Sequence, residues 1–319
     1  MVSLHEMSSD PIAIERKPRF LAVGGGKGGS GKSFITANIG VNLSKRGRKV
    51  IMVDTDLGGA NLHTLLGLSP PQATLDDFIN KRVGSIREVI AKTEIPNLGL
   101  IIGARNMLNA ANPKVHQKLR IIRHIQSLHG DFVIVDLGAG NSFNVLDFFL
   151  ISDDGILVVT PEPTSIENAY RFIKSVFYRK LRRLTIRHEA HPIIQTAMDQ
   201  RNACGIRTPL DLVEALESID EEVGRMARDQ IQSFRPRLIV NQVRTRGDVE
   251  VGLSMRSACL RFFGINLGYL GYVPYDNEVW QSVQRKKPLM LERPYARASR
   301  CIEEIASKLL REQQIAFES

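Results

Sequence analysis

The sequence predicts an α/β fold, a doubly wound, mostly parallel sheet with helices on both faces and an inserted helical segment. Three observations predict it. Short apolar runs alternate with stretches of helical spacing, a glycine-rich loop joins the first run to the first helix, and acids stand at the ends of two later runs. With 319 residues and 43% hydrophobic content the chain can bury a sizeable core.

Phe20–Val23 is the first run, and its continuous apolarity marks a strand buried on both faces. It leads into GGGKGGSGKS, Gly24 to Ser33, where the spacing Gly26-x-x-x-x-Gly31-Lys32-Ser33 is that of a Walker A loop. Glycines such as Gly26, Gly28, Gly29 and Gly31 let successive N–H groups, with those of Lys27, Ser30 and Phe34, turn toward a polyphosphate. Phe34–Lys45 has the apolar spacing of a helix ending at Gly47, so the loop meets a helix N-terminus whose dipole favours anions. In this P-loop reading Lys32 neutralises β/γ-phosphate oxygens and Ser33 ligates Mg²⁺.

The remaining strand candidates are Lys49–Val53, Leu98–Ile102, Phe132–Val135, Ile156–Val159, Leu238–Val240 and Leu267–Leu270. Helices between them imply right-handed crossovers. Asp54 and Asp56 follow the second run, and Asp136 ends the run Phe132–Val135 in Walker B form. Acids at the carboxyl edge of a parallel sheet face its ligand crevice. Asp54 and Asp136 are therefore candidate Mg²⁺ holders with Ser33, and Asp56 is a candidate for orienting the attacking water.

One connection is too long for a loop. About fifty residues, roughly 187–235, separate the helix that begins near Thr164 from the strand at Leu238, and Leu210, Val213, Leu216, Ile219, Val223 and Met226 keep helical spacing within them. The expected organisation is a flexible leader, 1–18, and a single domain, 19–319, with a helical insertion about 187–235. The leader has acids and no apolar segment of signal-peptide type, and no run reaches the length of a membrane span. Cys204, Cys259 and Cys301 lie far apart without CxxC spacing, which points to reduced thiols and a cytoplasmic chain. A net charge of +9 allows nucleic acid, anionic lipid or nucleotide as partners and selects none.

At this point the residues carry a family resemblance. The loop with its additional Lys27 resembles the deviant Walker A motif of MinD/ParA ATPases, VDTDLGGANLH resembles their switch I, and VDLGAG their switch II. TPEPTSIENAYRFI, LIVNQVR and LGYLGYVPYDNEV are similar to further family blocks, so the likeness covers most of the span from Phe20 to Leu310. Within the family the form DLGGAN is most similar to flagellar-number regulators of the FlhG/FleN type. The resemblance implies slow ATP hydrolysis with Mg²⁺, an ATP-dependent homodimer in which Lys27 reaches the partner's phosphates, and a role for Lys27, Lys32 and Asp56 in turnover. It also implies adenine contacts at Asn241 and at Pro274, Tyr275 and Asp276. Read by itself, an Asn after a strand is as readily a turn former.

Departures are visible too. Ile302, Ile305, Leu309 and Leu310 share one face of the last helix, the stripe of a core-docking helix rather than a membrane-targeting one. The activating N-terminal motif of flagellar regulators is not evident in the leader. The helix from Thr164 carries a basic run, Arg171–Arg187, on an apolar stripe, which is either a solvated face or a surface for nonspecific DNA or an anionic membrane. Three readings follow: a switch ATPase with a protein partner in flagellar or polar assembly, peripheral at membrane or pole; a ParA-like DNA-associated partition ATPase; and an ATP-using metabolic amide synthetase.

Overall fold

The computed structural model describes residues 17–56, 61–103, 115–185, 206–218 and 220–318. Its strands are β1 (Arg19–Gly24), β2 (Val50–Asp54), β3 (Ala91–Lys92), β4 (Leu98–Ile101), β5 (Phe132–Asp136), β6 (Asp154–Val159), β7 (Arg237–Val243) and β8 (Gly268–Pro274). They form one sheet in the order β3-β4-β2-β5-β1-β6-β7-β8, parallel except for the antiparallel β3. All seven expected strands are present, with ends moved by up to four residues. The two-residue edge strand β3 was not expected, since Ala91-Lys92 has no apolar run to announce it.

The helices are α1 (Lys32–Lys45), α2 (Leu62–Leu65), α3 (Leu75–Ile79), α4 (Val115–Gln126), α5 (Phe143–Phe149), α6 (Pro163–Thr185), α7 (Pro209–Glu217), α8 (Glu221–Ser233), α9 (Arg246–Ala258), α10 (Asn277–Gln284), α11 (Leu289–Glu292) and α12 (Arg297–Glu318). Successive strand residues point to opposite faces. Phe20, Ala22, Val133, Val135, Leu157 and Val159 pack under α3 to α9, whereas Leu21, Val23, Ile134, Ile156 and Val158 pack under α1, α2, α11 and α12. Burial of both faces explains the unbroken apolarity of the central strands.

Within the stretch 187–235, the described residues form α7 and α8. Thr208 and Asp211 make a capping box at the start of α7, Pro209 fills its first position, and Asp220 caps α8. Leu212, Val213, Leu216, Val223, Ala227 and Ile231 face the core shared with α6. Ile219, Cys204 and the leader through residue 16 lie outside the described residues.

Ile302, Ile305 and Leu309 bury one face of α12 against α1 and β8. Lys308 donates to the Leu270 carbonyl at 2.6 Å, and Arg19 donates to the Leu309 carbonyl. No described helix is long and apolar enough to cross a membrane.

A buried ion cluster ties three helices together. Asp147 of α5 lies 2.5 Å from the Lys118 ammonium of α4 and accepts from Arg179 of α6 at 2.8 and 2.9 Å.

Candidate nucleotide-binding site

β1 is flanked by β5 and β6, so the chain leaves it toward one side of the sheet and later returns to the other. Such a reversal opens a crevice at the carboxyl ends of the strands. The loop Gly25–Gly31 lies at that place, between β1 and α1. Gly26 packs so closely on the Asn168 carbonyl of α6 that a Cβ there would collide with it. Gly31 has φ +88°, and its absent Cβ leaves room for the Asn241 amide. No side chain caps the first turn of α1. Its N–H groups are thereby left to the crevice.

Lys32 is buried, and its ammonium donates to the Lys27 carbonyl at 3.1 Å across the loop. Burial lowers its pKa, opposed by the charges of Asp136 and Asp56. Ser30 Oγ is buried without a hydrogen-bond partner. A cradle with an orphaned hydroxyl, a desolvated ammonium and an uncapped helix start fits a polyphosphate.

Three acids converge beside it. Asp54 and Asp136 are register partners at the ends of β2 and β5, both buried. Burial and mutual repulsion raise Asp54 to about 7, and burial raises Asp136 to about 6 against hydrogen bonds from Ser33 and Thr36. Two carboxylates held this close, next to the Ser33 hydroxyl, suit a divalent cation, which would favour their charged forms. Asp54 also accepts from the N–H groups of Asp56 at 3.0 Å and Leu62 at 3.1 Å. The Asp56 carboxylate stands over Gly138, about 3.5 Å from where a Cβ would be. Leu57–Ala60 of the same segment lie outside the described residues.

Lys27 is held within its own chain. Its ammonium is 2.6 Å from the Glu162 carboxylate and 3.4 Å from the Thr164 hydroxyl, with Lys27 and Glu162 both more than a third exposed. The bond from Lys27 lowers the Glu162 pKa.

Asn241 reaches the loop through a β-bulge. The β7–β8 register shifts between Asn241 and Val243, and Gln242 takes φ +62°. Asn241 Nδ2 donates to the Ser30 carbonyl at 2.8 Å. Pro274 ends β8, the exposed Tyr275 lies under the Arg244 guanidinium at 4.2 Å, and Asp276 caps α10. Tyr275 N–H donates to the Val243 carbonyl at 2.8 Å and so holds this turn beside the bulge.

The sequence reading did not single out Thr36, whose hydroxyl donates to Asp136 at 3.1 Å, nor Thr55, whose hydroxyl donates to the Asp136 carbonyl at 2.8 Å. Thr36 lies one helical turn after Ser33 on the same face, which is the signal that could have found it.

The family model of the CobQ/CobB/MinD/ParA nucleotide binding domain matches residues 21–289. Antiactivator FleN of Pseudomonas aeruginosa is 26% identical over 91% of this chain and 85% of its own. The flagellum site-determining protein YlxH of Helicobacter pylori is 35% identical over 49% of this chain and 53% of its own. The septum site-determining protein MinD complexed with Mg-ADP, from Pyrococcus horikoshii, superposes with TM-score 0.63 at 19% identity, covering 92% of this chain and 96% of its own, a likeness of fold.

Proposed function

Since this chain belongs to the CobQ/CobB/MinD/ParA nucleotide-binding family, we propose that it is an ATP-dependent dimerising switch ATPase, converting ATP and water to ADP and phosphate, that positions or regulates a flagellar or polar assembly. The observation that carries the reading is Lys27, a second lysine in the phosphate loop that stands exposed at its mouth instead of facing inward like Lys32. The name of the flagellum site-determining protein YlxH supports the flagellar part.

In this reading Lys32, Ser30 and the N–H groups opening α1 bind the phosphates. Bound Mg²⁺ would neutralise β/γ-phosphate charge, and Ser33, Asp54 and Asp136 would hold it. Asp56 orients the attacking water, and the loop's packing on Gly138 sets its position. Lys27 leaves Glu162 and meets the phosphates of a second copy, offsetting charge that one lysine does not. Asn241, Pro274, Tyr275 and Asp276 hold the adenine. The protein is cytoplasmic, peripheral at a pole or membrane when assembled, and its unit is one domain with a leader and the insertion 187–235.

A partition ATPase on DNA would use the cations of α6. Of these, Arg171 is paired with Glu167 at 2.5 Å, Arg179 with Asp147, and Lys174 donates to the Arg207 carbonyl at 2.7 Å, so much of the run is already engaged in the fold. No observation of the site favours that reading or the amide synthetase.

Chromatography with light scattering tests the switch. Asp56→Ala with ATP should elute as a dimer, and adding Lys27→Ala should restore the monomer. A dimer that survives the double change rules out this use of Lys27. Flagellar number in a deletion strain tests the cellular role, and an unchanged number would remove the flagellar part alone.

A further inference from the structure

A cavity of about 750 Å³ opens on the α1 side of the sheet, between residues of the stretch 63–70, Glu94 and Ile95 before β4, and the chain between α10 and α11. No residue of the phosphate loop and none of Asp54, Asp56 and Asp136 lines it. Its apolar floor includes Leu66 and Ile95, both buried, and Leu291 stands 44% exposed at its rim. An apolar lining with a few polar groups, at this size, is the form of a small-molecule site.

The polar groups are mostly cationic. Arg285, Lys286 and Lys287 follow one another at the end of α10, and Glu94 is the one acid of the lining. Arg285 is engaged with Glu292 at 2.5 Å, whereas Lys286 and Lys287 form no ion pair among the described residues. His63 Nε2 meets the Thr64 hydroxyl at 3.3 Å, and its Nδ1 is buried with no hydrogen-bond partner. A buried polar atom left unpaired in a cationic cavity points to a ligand that supplies the missing partner. Burial, with the charge of Lys286, lowers the His63 pKa, and an anion at the lysines would relieve that repulsion.

We propose that this cavity is a second ligand site, for a nucleoside monophosphate, with Lys286 and Lys287 on the phosphate, Leu66 and Ile95 against the base, and Glu94 and Ser69 on ribose hydroxyls. Lysine ammoniums without a nest of backbone N–H groups suit one phosphate as point charges. An alkyl carboxylate would leave Glu94, Ser69 and His63 Nδ1 unpaired, and a sugar phosphate would set hydroxyls against the apolar floor.

The two walls touch where Gly67, at φ +73°, passes the Lys286 carbonyl, 2.7 Å from where a Cβ would be. One wall follows Leu62, whose N–H donates to Asp54, and the other ends α10, which Asp276 caps. A ligand spanning both walls couples to the ATP site, and each ligand changes the affinity of the other by the same factor. The coupling rests on the ATPase reading, and the binding does not.

Calorimetry tests the site, titrating AMP, GMP, CMP, UMP and inorganic phosphate into the unaltered chain with saturating Mg-ADP and into Lys32→Ala without it. At least one monophosphate should bind in both, with phosphate alone at least roughly tenfold weaker. Lys286→Asn with Lys287→Gln should lower that affinity by roughly tenfold or more, Asn being at ease in the left-handed region that Lys286 occupies at φ +55°. Ser69→Trp keeps the charge, fills the cavity from an exposed position and should do the same. Thermal melts of both variants should match the unaltered chain, which controls for folding. No binding by any monophosphate at millimolar concentration overturns the proposal, as does binding that survives both changes or that Lys32→Ala abolishes. Phosphate that binds as tightly as the monophosphates overturns the nucleotide class. An unchanged ATP affinity at saturating monophosphate overturns the coupling, whereas failure of the unaltered chain to bind ATP at all would count against the ATPase reading and leave the monophosphate titration readable.

Discussion

The Lys27 ammonium and the Glu162 carboxylate of the same chain lie 2.6 Å apart, so the lysine proposed to leave for a second copy is already paired. Leaving Glu162 is then a competing step in dimerisation. Glu162→Gln should let the ATP-bound chain dimerise at lower protein concentration, as measured by sedimentation in an Asp56→Ala background. Dimerisation weakened by Glu162→Gln would mean that Glu162 serves the interface itself.

Lys32 and Asp56 should separate binding from turnover. Lys32→Ala removes a desolvated cation from the phosphate cradle and should abolish ATP binding, measured by calorimetry. Asp56→Ala should keep ATP affinity within a few-fold and lose hydrolysis by roughly a hundredfold or more. Equal loss of affinity in both would contradict the division of roles.

The paired acids predict how stability depends on pH. Asp54, raised from the ordinary 3.8 to about 7, holds a proton in the folded state that the unfolded chain has released. Between those values the folded state binds more protons, so nucleotide-free stability should fall as pH rises and level off above about 7. Mg²⁺ with nucleotide favours the charged acids and should flatten that slope, and Asp54→Asn should flatten it without ligand. Thermal melts from acid to neutral pH, with and without Mg-ATP, measure both effects.

Asn241→Ala should weaken ATP binding, since it strips the buried Ser30 carbonyl of its donor at a cost of about 1–3 kcal/mol. Trp280, the one tryptophan of the chain, is 62% exposed on α10 just after the Pro274-Tyr275-Asp276 turn. Its fluorescence should change as nucleotide is added, and a silent Trp280 under saturating ATP would count against adenine at this turn.

The cluster on Asp147 predicts a stability effect where the basic run suggests a binding one. Asp147→Ala takes the carboxylate from the buried Lys118 ammonium and should cost about 3–5 kcal/mol in urea unfolding, whereas Arg179→Ala leaves Asp147 with Lys118 and should cost less. Arg182→Ala, on a side chain without that bond, should change stability by less than about 0.5 kcal/mol.

The central strands were legible because burial on both faces writes an uninterrupted apolar run, and the loop was legible because its glycines, lysines and serine sit at fixed spacing. What could not be read was contact at long range. Glu162 meets Lys27 only because the start of α6 folds back onto the loop at Gly26. Asn241 could be noted as an Asn after a strand, yet its aim at Ser30 depends on the bulge at Gln242, which leaves no mark in the apolar pattern. Thr36 looked like an ordinary helix residue until β5 placed Asp136 against it.

The two margins of the sheet also bear on how the molecule behaves when crowded. At one margin β3 offers only two residues of antiparallel ladder, too little to recruit a strand from a neighbour. At the other, β8 is bent by two register shifts against β7 and by Gly271 at φ +147°. A kinked margin is a poor template for end-to-end growth. Despite a long run of sticky parallel strands inside, the protein should withstand the concentrations needed for assembly work without polymerising into fibrils.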